Sequence, residues 1–146
     1  MQNNVILIVD DSVDDRVLMR RSWRASGIWN EIVFAADGEQ ALNFLFGSAP
    51  DAPPDPIAAT QLIILDLHMP GMGGIECLRR LRADPRTKSL PVAVLTGSTN
   101  IEDERQAREL GVAEFLRKPT DTTEFIRVTA NLGLKWILTR EEDPAS

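Results

Sequence analysis

Four carboxylates follow the first aliphatic run of this sequence within six positions. Asp10 and Asp11 come directly after the run Val5–Val9, and Asp14 and Asp15 follow closely. Neighbouring carboxylates repel each other by about 1 kcal/mol at ~4 Å in water, and by several times more in a protein-like dielectric. A bound divalent cation turns that repulsion into attraction to a shared charge. The pattern therefore indicates a cation site at the end of a buried strand.

Three further polar side chains follow later aliphatic runs. Asp66 ends the third run, Thr96 ends the fourth, and Lys118 comes shortly after the fifth. In an open parallel sheet the carboxyl ends of all strands lie at one edge, because the crossovers are right-handed, and ligands bind at that edge. We therefore expect the two leading carboxylates, Asp10 and Asp11, to share one cleft with these three side chains.

This set of side chains fits phosphoryl transfer. Three carboxylates attract Mg²⁺, which prefers oxygen ligands and commonly takes one or two carboxylates together with a phosphate. One carboxylate can act as the nucleophile toward phosphorus and form an aspartyl phosphate. Such a reaction needs positioning and charge neutralisation more than covalent help. Lys118 can pair with one phosphate oxygen, and Thr96 can donate a hydrogen bond to another.

The elements that must position these residues alternate along the chain as in a parallel α/β sheet. The predicted strands are Val5–Val9, Glu31–Ala35, Leu62–Leu65, Val92–Leu95 and Ala113–Leu116. Capping and stop signals predict helices from Ser12 to Gly27, over Gly38–Phe46, over Gly74–Ala83, from Asn100 to Gly111, and from Asp121 onward. The last helix carries an apolar stripe that ends at Trp136, and Gly133 is expected to weaken it.

Two segments fall outside this alternation. Gly47–Gln61 contains four prolines and is predicted to be an irregular surface loop. Thr139–Ser146 is polar and is expected to fray. The prediction is one domain over residues 1–138 with a short polar tail over residues 139–146.

Composition narrows the class of protein. The chain has 146 residues, 43% hydrophobic residues and a net charge of −6, which argues against nonspecific nucleic-acid binding. No apolar run approaches the ~20 residues of a membrane span, and the N-terminus lacks the basic start of a signal peptide. Cys77 is the single cysteine, so no intrachain disulfide can form. A cytoplasmic protein without a membrane partner is expected.

Four motifs together carry a family resemblance. They are "VDD" at Val9–Asp11, "LDLHMPGMGGIE" at Leu65–Glu76, "VLTG" at Val94–Gly97 and "EFLRKP" at Glu114–Pro119. In this order, each at a strand end, they resemble the receiver domain of two-component response regulators over about Asn4–Ile137. The resemblance implies a flavodoxin-like, doubly wound (βα)5 sandwich with a five-stranded parallel sheet in the order 2-1-3-4-5. It also implies that a sensor histidine kinase donates a phosphoryl group.

The resemblance assigns roles position by position. Asp66 matches the phosphoacceptor and Lys118 the phosphate-binding lysine, while Thr96 and Phe115 match the switch hydroxyl and the switch aromatic. The implied cofactor is Mg²⁺ or Mn²⁺. Its implied ligands are Asp11, Asp66, the backbone carbonyl of His68 and, through water, Asp10. Receiver domains often have a cis bond at the position of Lys118–Pro119.

A narrower resemblance concerns the partner. The stretch Arg82–Ser98 and the late Trp136 are similar to single-domain regulators that partner bacterial phytochromes. This implies a phytochrome kinase as phosphoryl donor. It also implies a possible homodimer through the predicted fourth helix, fifth strand, fifth helix and C-terminal extension. Trp136 fits a core position and an interface equally well.

Some residues depart from the common pattern or admit a second interpretation. Gly73 is a weaker helix cap than the usual Asp, and Phe115 lacks the hydroxyl of the commoner Tyr. At His68, either only the carbonyl matters and the imidazole faces solvent, or the side chain tunes the access of water to the phosphoryl group. Asp14 and Asp15 are interpreted as helix-capping and dipole residues rather than metal ligands.

Three alternative functions stay open at this point. The chain could be a phosphorylation-incompetent receiver that acts as a constitutive interaction module. A hydrolase of the haloacid-dehalogenase type would need an acid two residues after the nucleophile, where this chain has His68. A flavodoxin-like cofactor binder would place a phosphate next to Asp10 and Asp11, which would repel it.

Overall fold

The computed structural model describes residues 4–47, 50 and 52–138. Five strands form one parallel sheet in the order β2-β1-β3-β4-β5. The strands are β1 Val5–Val9, β2 Glu31–Ala35, β3 Thr60–Leu65, β4 Val92–Thr96 and β5 Glu114–Arg117. The helices are α1 Val13–Ala25, α2 Gly38–Leu45, α3 Pro56–Ala59, α4 Gly74–Ala83, α5 Ile101–Glu109 and α6 Thr122–Gly133, followed by a π-helical turn, Leu134–Leu138. The predicted flavodoxin-like fold and strand order are confirmed.

Strand β1 is an interior strand of the sheet and is buried on both faces. Val5, Leu7 and Val9 pack on one side with α2, α4 and α5, whereas Ile6 and Ile8 pack on the other side with α1 and α6. Each such side chain removed from water contributes on the order of 1.5–3 kcal/mol. The sheet is therefore held rigidly between two apolar layers, and its carboxyl edge is a fixed platform.

The prediction of an irregular loop over Gly47–Gln61 is wrong at its end. Asp55 caps the short helix α3 by accepting a hydrogen bond from the Ala58 amide at 3.2 Å. Pro56 occupies the first helical turn, where its missing N–H costs nothing. β3 then begins at Thr60, two residues earlier than predicted. Pro56 therefore marks a helix start. Because α3 is an additional helix, the predicted fourth and fifth helices are α5 and α6.

Gly133 has a packing role in addition to its effect on the helix. A methyl group at this position would lie 2.5 Å from Nε1 and 2.6 Å from Cδ1 of Trp23. The Trp23 indole N–H donates to the Thr129 carbonyl at 2.8 Å, and the ring is fully buried. The missing side chain thus lets α6 approach α1 closely, and the π-helical turn begins directly after this contact.

Trp136 is half-buried and packs against the apolar layer of α1 and α6. Its carbonyl accepts a hydrogen bond from the Gln61 side chain at 3.4 Å. Trp136 therefore contributes to the core, which is one of the two interpretations of this residue. The predicted tail, Thr139–Ser146, lies outside the described residues.

Candidate functional site

Two buried carboxylates lie side by side where β1 and β3 end. The Asp10 amide donates to the Ala35 carbonyl and the Asp66 amide to the Val9 carbonyl, each at 2.9 Å, so the sheet ladder continues through both residues. Asp10 is 2% exposed and Asp66 is 5% exposed, whereas the adjacent Asp11 is exposed. One carboxylate oxygen from each of the three lies within 4.8 Å of the others. The structure therefore brings together the three predicted acids.

Lys118 places its ammonium group among these carboxylates. Its Nζ lies 2.8 Å from Asp10 Oδ2, 2.8 Å from Asp15 Oδ2 and 3.3 Å from Asp66 Oδ2. The Lys118 amide donates to the Thr96 carbonyl at 2.7 Å, which anchors the loop that follows β5. All peptide bonds of the described residues are trans, so the cis bond expected at Lys118–Pro119 is not found there.

Burial and pairing act on the proton affinities in opposite directions. Burial by itself lowers the pKa of Lys118, but hydrogen bonds to Asp10 and Asp15 outweigh it, so the net pKa is raised above 10.5. Burial raises the pKa of Asp10 above 3.8, although hydrogen bonds from Lys118 and from the Ser12 amide offset part of that rise. The lysine is therefore firmly charged at neutral pH.

Asp15 is the site residue that the sequence analysis missed. Ser12 caps α1 as predicted, because its hydroxyl accepts from the Asp15 amide at 3.2 Å. The Asp15 carboxylate also contacts Lys118 in the cleft, a contact that its interpretation as a capping and dipole residue did not include. The available signal was positional: α1 begins at the carboxyl edge of the sheet, and its first turn faces the residues that follow β5. Asp14, one position earlier, is exposed.

Thr96 ends β4 and is fully buried. Its hydroxyl oxygen accepts a hydrogen bond from the Ser98 amide at 3.2 Å. This places a hydroxyl at the same edge as Lys118, as the sequence analysis expected.

His68 is tied to the site at its backbone and to α5 at its side chain. Its amide donates to Asp66 Oδ1 at 3.3 Å, and Nε2 of its imidazole lies 2.8 Å from Asp103 Oδ2. The side chain is 64% exposed. The imidazole therefore reaches solvent and at the same time has a specific partner, which neither of the two expectations for this residue included.

The loop between β3 and α4 is tightly packed because of Gly74. A methyl group on Gly74 would lie 2.3 Å from the Asp66 carbonyl oxygen and 2.7 Å from the Leu67 Cα. The Gly74 amide donates to the Leu67 carbonyl at 3.1 Å. Gly73, one residue earlier, occupies the N-cap of α4 and provides no side-chain cap, as expected from the sequence. The glycine pair thus fixes the loop that carries Asp66.

Phe115 lies on β5, on the face that the sheet shares with α5. Its ring packs partly buried against the apolar layer of α2, α4 and α5. The guanidinium carbons of Arg108 and Arg117 lie 5.5 Å and 5.6 Å from its centroid. Both distances fall within the range of cation–π attraction.

This geometry matches a known family over most of the chain. Residues 6–130 match the model of the response regulator receiver domain. The chain belongs to this family. It is therefore a signalling module, and the strand order agrees with the receiver fold. In the part of the chain that the structure describes, no helix is long and apolar enough to cross a membrane.

Relatives of similar length include regulators associated with phytochromes. The chain is 32% identical over 137 residues to the response regulator Rcp1 of Synechocystis sp., which covers 92% of this chain and 90% of Rcp1. Its structure is similar to the Mn²⁺-bound form of Rcp1, with a TM-score of 0.84, 32% identity and 93% and 96% coverage. It is also similar to the phosphorylated cyanobacterial phytochrome response regulator RcpA, with a TM-score of 0.85, 27% identity and 94% and 96% coverage.

Proposed function

We propose that this receiver accepts a phosphoryl group on Asp66 from a sensor histidine kinase. The observation that supports this most directly is the buried Asp66 carboxylate, 3.3 Å from the Lys118 ammonium group and within 4.8 Å of two further acids. In the transfer, an Asp66 oxygen forms a bond to phosphorus while the phosphorus–nitrogen bond of a phosphohistidine breaks. The donor imidazole leaves with the bonding electrons.

The acidic cluster fits Mg²⁺ or Mn²⁺. All three side chains offer carboxylate oxygens, the donor type that these cations prefer, and their separation allows shared coordination. Asp11, Asp66 and the His68 carbonyl would hold the ion directly, and Asp10 would hold it through water. When bound, the cation supplies neutralisation of the charge on phosphoryl oxygens.

Lys118 and Thr96 would receive the phosphoryl group. Lys118 already lies beside Asp66, so it can pair with a phosphoryl oxygen without a large movement of its anchored backbone. The buried hydroxyl of Thr96 would donate a hydrogen bond to another oxygen and move toward it. Phe115 would then turn into the space that Thr96 leaves, and the face formed by α5, β5 and α6 would change.

The output of this switch would be a change in partner binding or in dimerisation. A phytochrome kinase is the proposed donor, because the similar protein RcpA is named as a phytochrome response regulator. A homodimer through α5, β5, α6 and the C-terminal extension is the proposed assembly. The chain itself would catalyse only its own phosphotransfer and slow dephosphorylation.

Light scattering with beryllofluoride and Mg²⁺ tests the proposal. We expect wild type to bind beryllofluoride only when Mg²⁺ is present and to change its mass or its hydrodynamic radius. Asp66→Asn, which removes the nucleophilic oxygen at nearly constant volume, should show neither effect. Identical behaviour of wild type and Asp66→Asn would contradict the proposal and favour a phosphorylation-incompetent receiver.

A further inference from the structure

Ser98, two residues after Thr96, uses all three of its polar groups in contacts to other parts of the site. Its amide donates to the Thr96 hydroxyl at 3.2 Å, and its hydroxyl donates to Asp103 Oδ2 at 2.9 Å. Its carbonyl accepts a hydrogen bond from Arg117 Nη1. A displacement of Thr96 therefore strains contacts in two directions.

One direction leads back to the phosphoacceptor. The Asp103 oxygen that accepts from Ser98 also lies 2.8 Å from His68 Nε2. His68 in turn donates its amide to Asp66 Oδ1 at 3.3 Å. A single carboxylate oxygen on α5 thus connects the loop that follows β3 with the loop that follows β4.

The other direction leads to the aromatic ring on β5. Arg117, which binds the Ser98 carbonyl, also lies over Phe115 and donates to Glu104 Oε1 at 2.9 Å. Arg108 lies over the same ring and is 2.9 Å from Glu104 Oε2. Glu104 therefore holds both guanidinium groups in place around Phe115.

We infer that Asp103 and Arg117 are positioning residues that hold Thr96 and Phe115 in their unphosphorylated arrangement through Ser98. The inference rests on the proposed phosphorylation of Asp66. Movement of Thr96 toward Asp66 would carry the Ser98 amide and carbonyl with it. Arg117 must then either release that carbonyl or follow it, and both events change its contact with Phe115. The movement of Phe115 is thereby coupled to that of Thr96 by polar contacts, in addition to the space that Thr96 leaves for the ring.

The expected effect is modest because the groups are partly exposed. Side-chain exposures are 40% for Arg117 and 22% for Asp103, so their contacts stabilise the unphosphorylated arrangement only weakly. Loss of either group raises the fraction of molecules ready to bind a phosphoryl analogue, and the apparent dissociation constant falls in proportion. We expect beryllofluoride to bind about three- to fivefold more tightly.

The test compares full-length variants in a beryllofluoride titration with saturating Mg²⁺. Arg117→Gln is matched by Arg127→Gln, which removes an arginine paired with Glu124 on α6. Asp103→Ala is matched by Glu109→Ala, which removes an acid of α5 that pairs with Arg105. The ring signals of Phe115, followed by NMR without beryllofluoride, should shift toward their bound positions in Arg117→Gln and Asp103→Ala only.

The outcomes separate this inference from the proposed function. If wild type fails to bind beryllofluoride, the proposed function is wrong. If wild type binds, but Arg117→Gln and Asp103→Ala behave like their matched controls or bind more weakly, the coupling alone is refuted. Tighter binding together with shifted Phe115 signals in either variant supports the coupling, and the second variant keeps the test valid if the first does not fold.

Discussion

The carboxyl edge and the amino edge of the sheet each bury a pair of polar side chains to a similar extent. The two pairs differ in charge. At the carboxyl edge, Asp10 and Asp66 are 2% and 5% exposed and share the Lys118 ammonium group. At the amino edge, Asn30 and Gln61 are 4% and 3% exposed and form an amide–amide hydrogen bond of 2.9 Å. One edge therefore buries charge and the other buries neutral dipoles.

The difference shows which edge satisfies its polar groups without a bound ligand. The amino edge satisfies its own hydrogen bonds, because Gln61 donates onward to the Trp136 carbonyl. The carboxyl edge has one lysine for three contacting carboxylates, Asp10, Asp15 and Asp66, so its charge is not balanced. A neutral buried pair contributes stability alone, whereas an unbalanced buried cluster retains a capacity to bind cations.

Removal of the Lys118 ammonium group should destabilise the carboxyl edge more than any change at the amino edge destabilises that edge. Lys118→Met leaves buried carboxylates without their counter-charge, and we expect a loss of about 3 kcal/mol in the free energy of unfolding at pH 7. The loss should shrink as the pH falls, because burial raises the pKa of Asp10 and a protonated Asp10 needs no counter-charge. Urea denaturation across a series of pH values measures the effect.

The control is Lys135→Met, which removes a mostly exposed lysine that pairs with Glu114. It should change the free energy of unfolding by less than about 1 kcal/mol. Equal losses in the two variants would mean that the carboxyl edge is not held together by its charge pair.

Truncation at the amino edge should have the next largest effect. Asn30→Ala leaves the buried oxygen of Gln61 without its donor, which should cost about 1–2 kcal/mol in the free energy of unfolding. Because no charge is involved, the loss should be the same at pH 5 and pH 8 in urea denaturation. A double variant with Gln61→Ala should lose less than the sum of the single losses. A pH-dependent loss would contradict the neutral character of this edge.

The smallest expected effect comes from neutralising one buried acid. Because burial raises the pKa of Asp10 above 3.8, the folded chain retains this proton at pH values where the unfolded chain has released it. This group therefore lowers stability as the pH rises through the window that begins near 3.8. Asp10→Asn removes this loss, so without metal the variant should gain on wild type by less than about 1 kcal/mol between pH 4 and pH 7. If urea denaturation shows that the variant becomes less stable than wild type as the pH rises over this range, the expected direction of the effect is wrong.

The carboxyl edge could be predicted from sequence because strand ends fix it. The aliphatic runs before Asp10, Asp66 and Thr96 locate the strands within two residues, and parallel topology then brings their ends together. Asp15 could not be assigned in this way. A carboxylate in the first turn of a helix suits capping and the dipole equally well, and only the position of Lys118 distinguishes these roles from a contact in the cleft.

The features that the sequence left undetermined depend on tertiary neighbours. The π-helical turn Leu134–Leu138 has no local signal, and the side chain of His68 found its partner Asp103 thirty-five residues further along the chain. The need for glycine at position 74 comes from the Asp66 carbonyl, which a local pattern does not include. In the same way, Pro56 reads as a loop residue until Asp55 supplies the cap in front of it.

The absence of a side chain at Gly133 determines how closely the end of α6 approaches α1. Its backbone lies against the Trp23 indole, and any side chain there would force α6 outward at its last turn. The π-helical turn Leu134–Leu138, which directly follows α6, would then be displaced together with it. The placement of the turn Leu134–Leu138 is therefore set by the single hydrogen atom that Gly133 carries in place of a side chain.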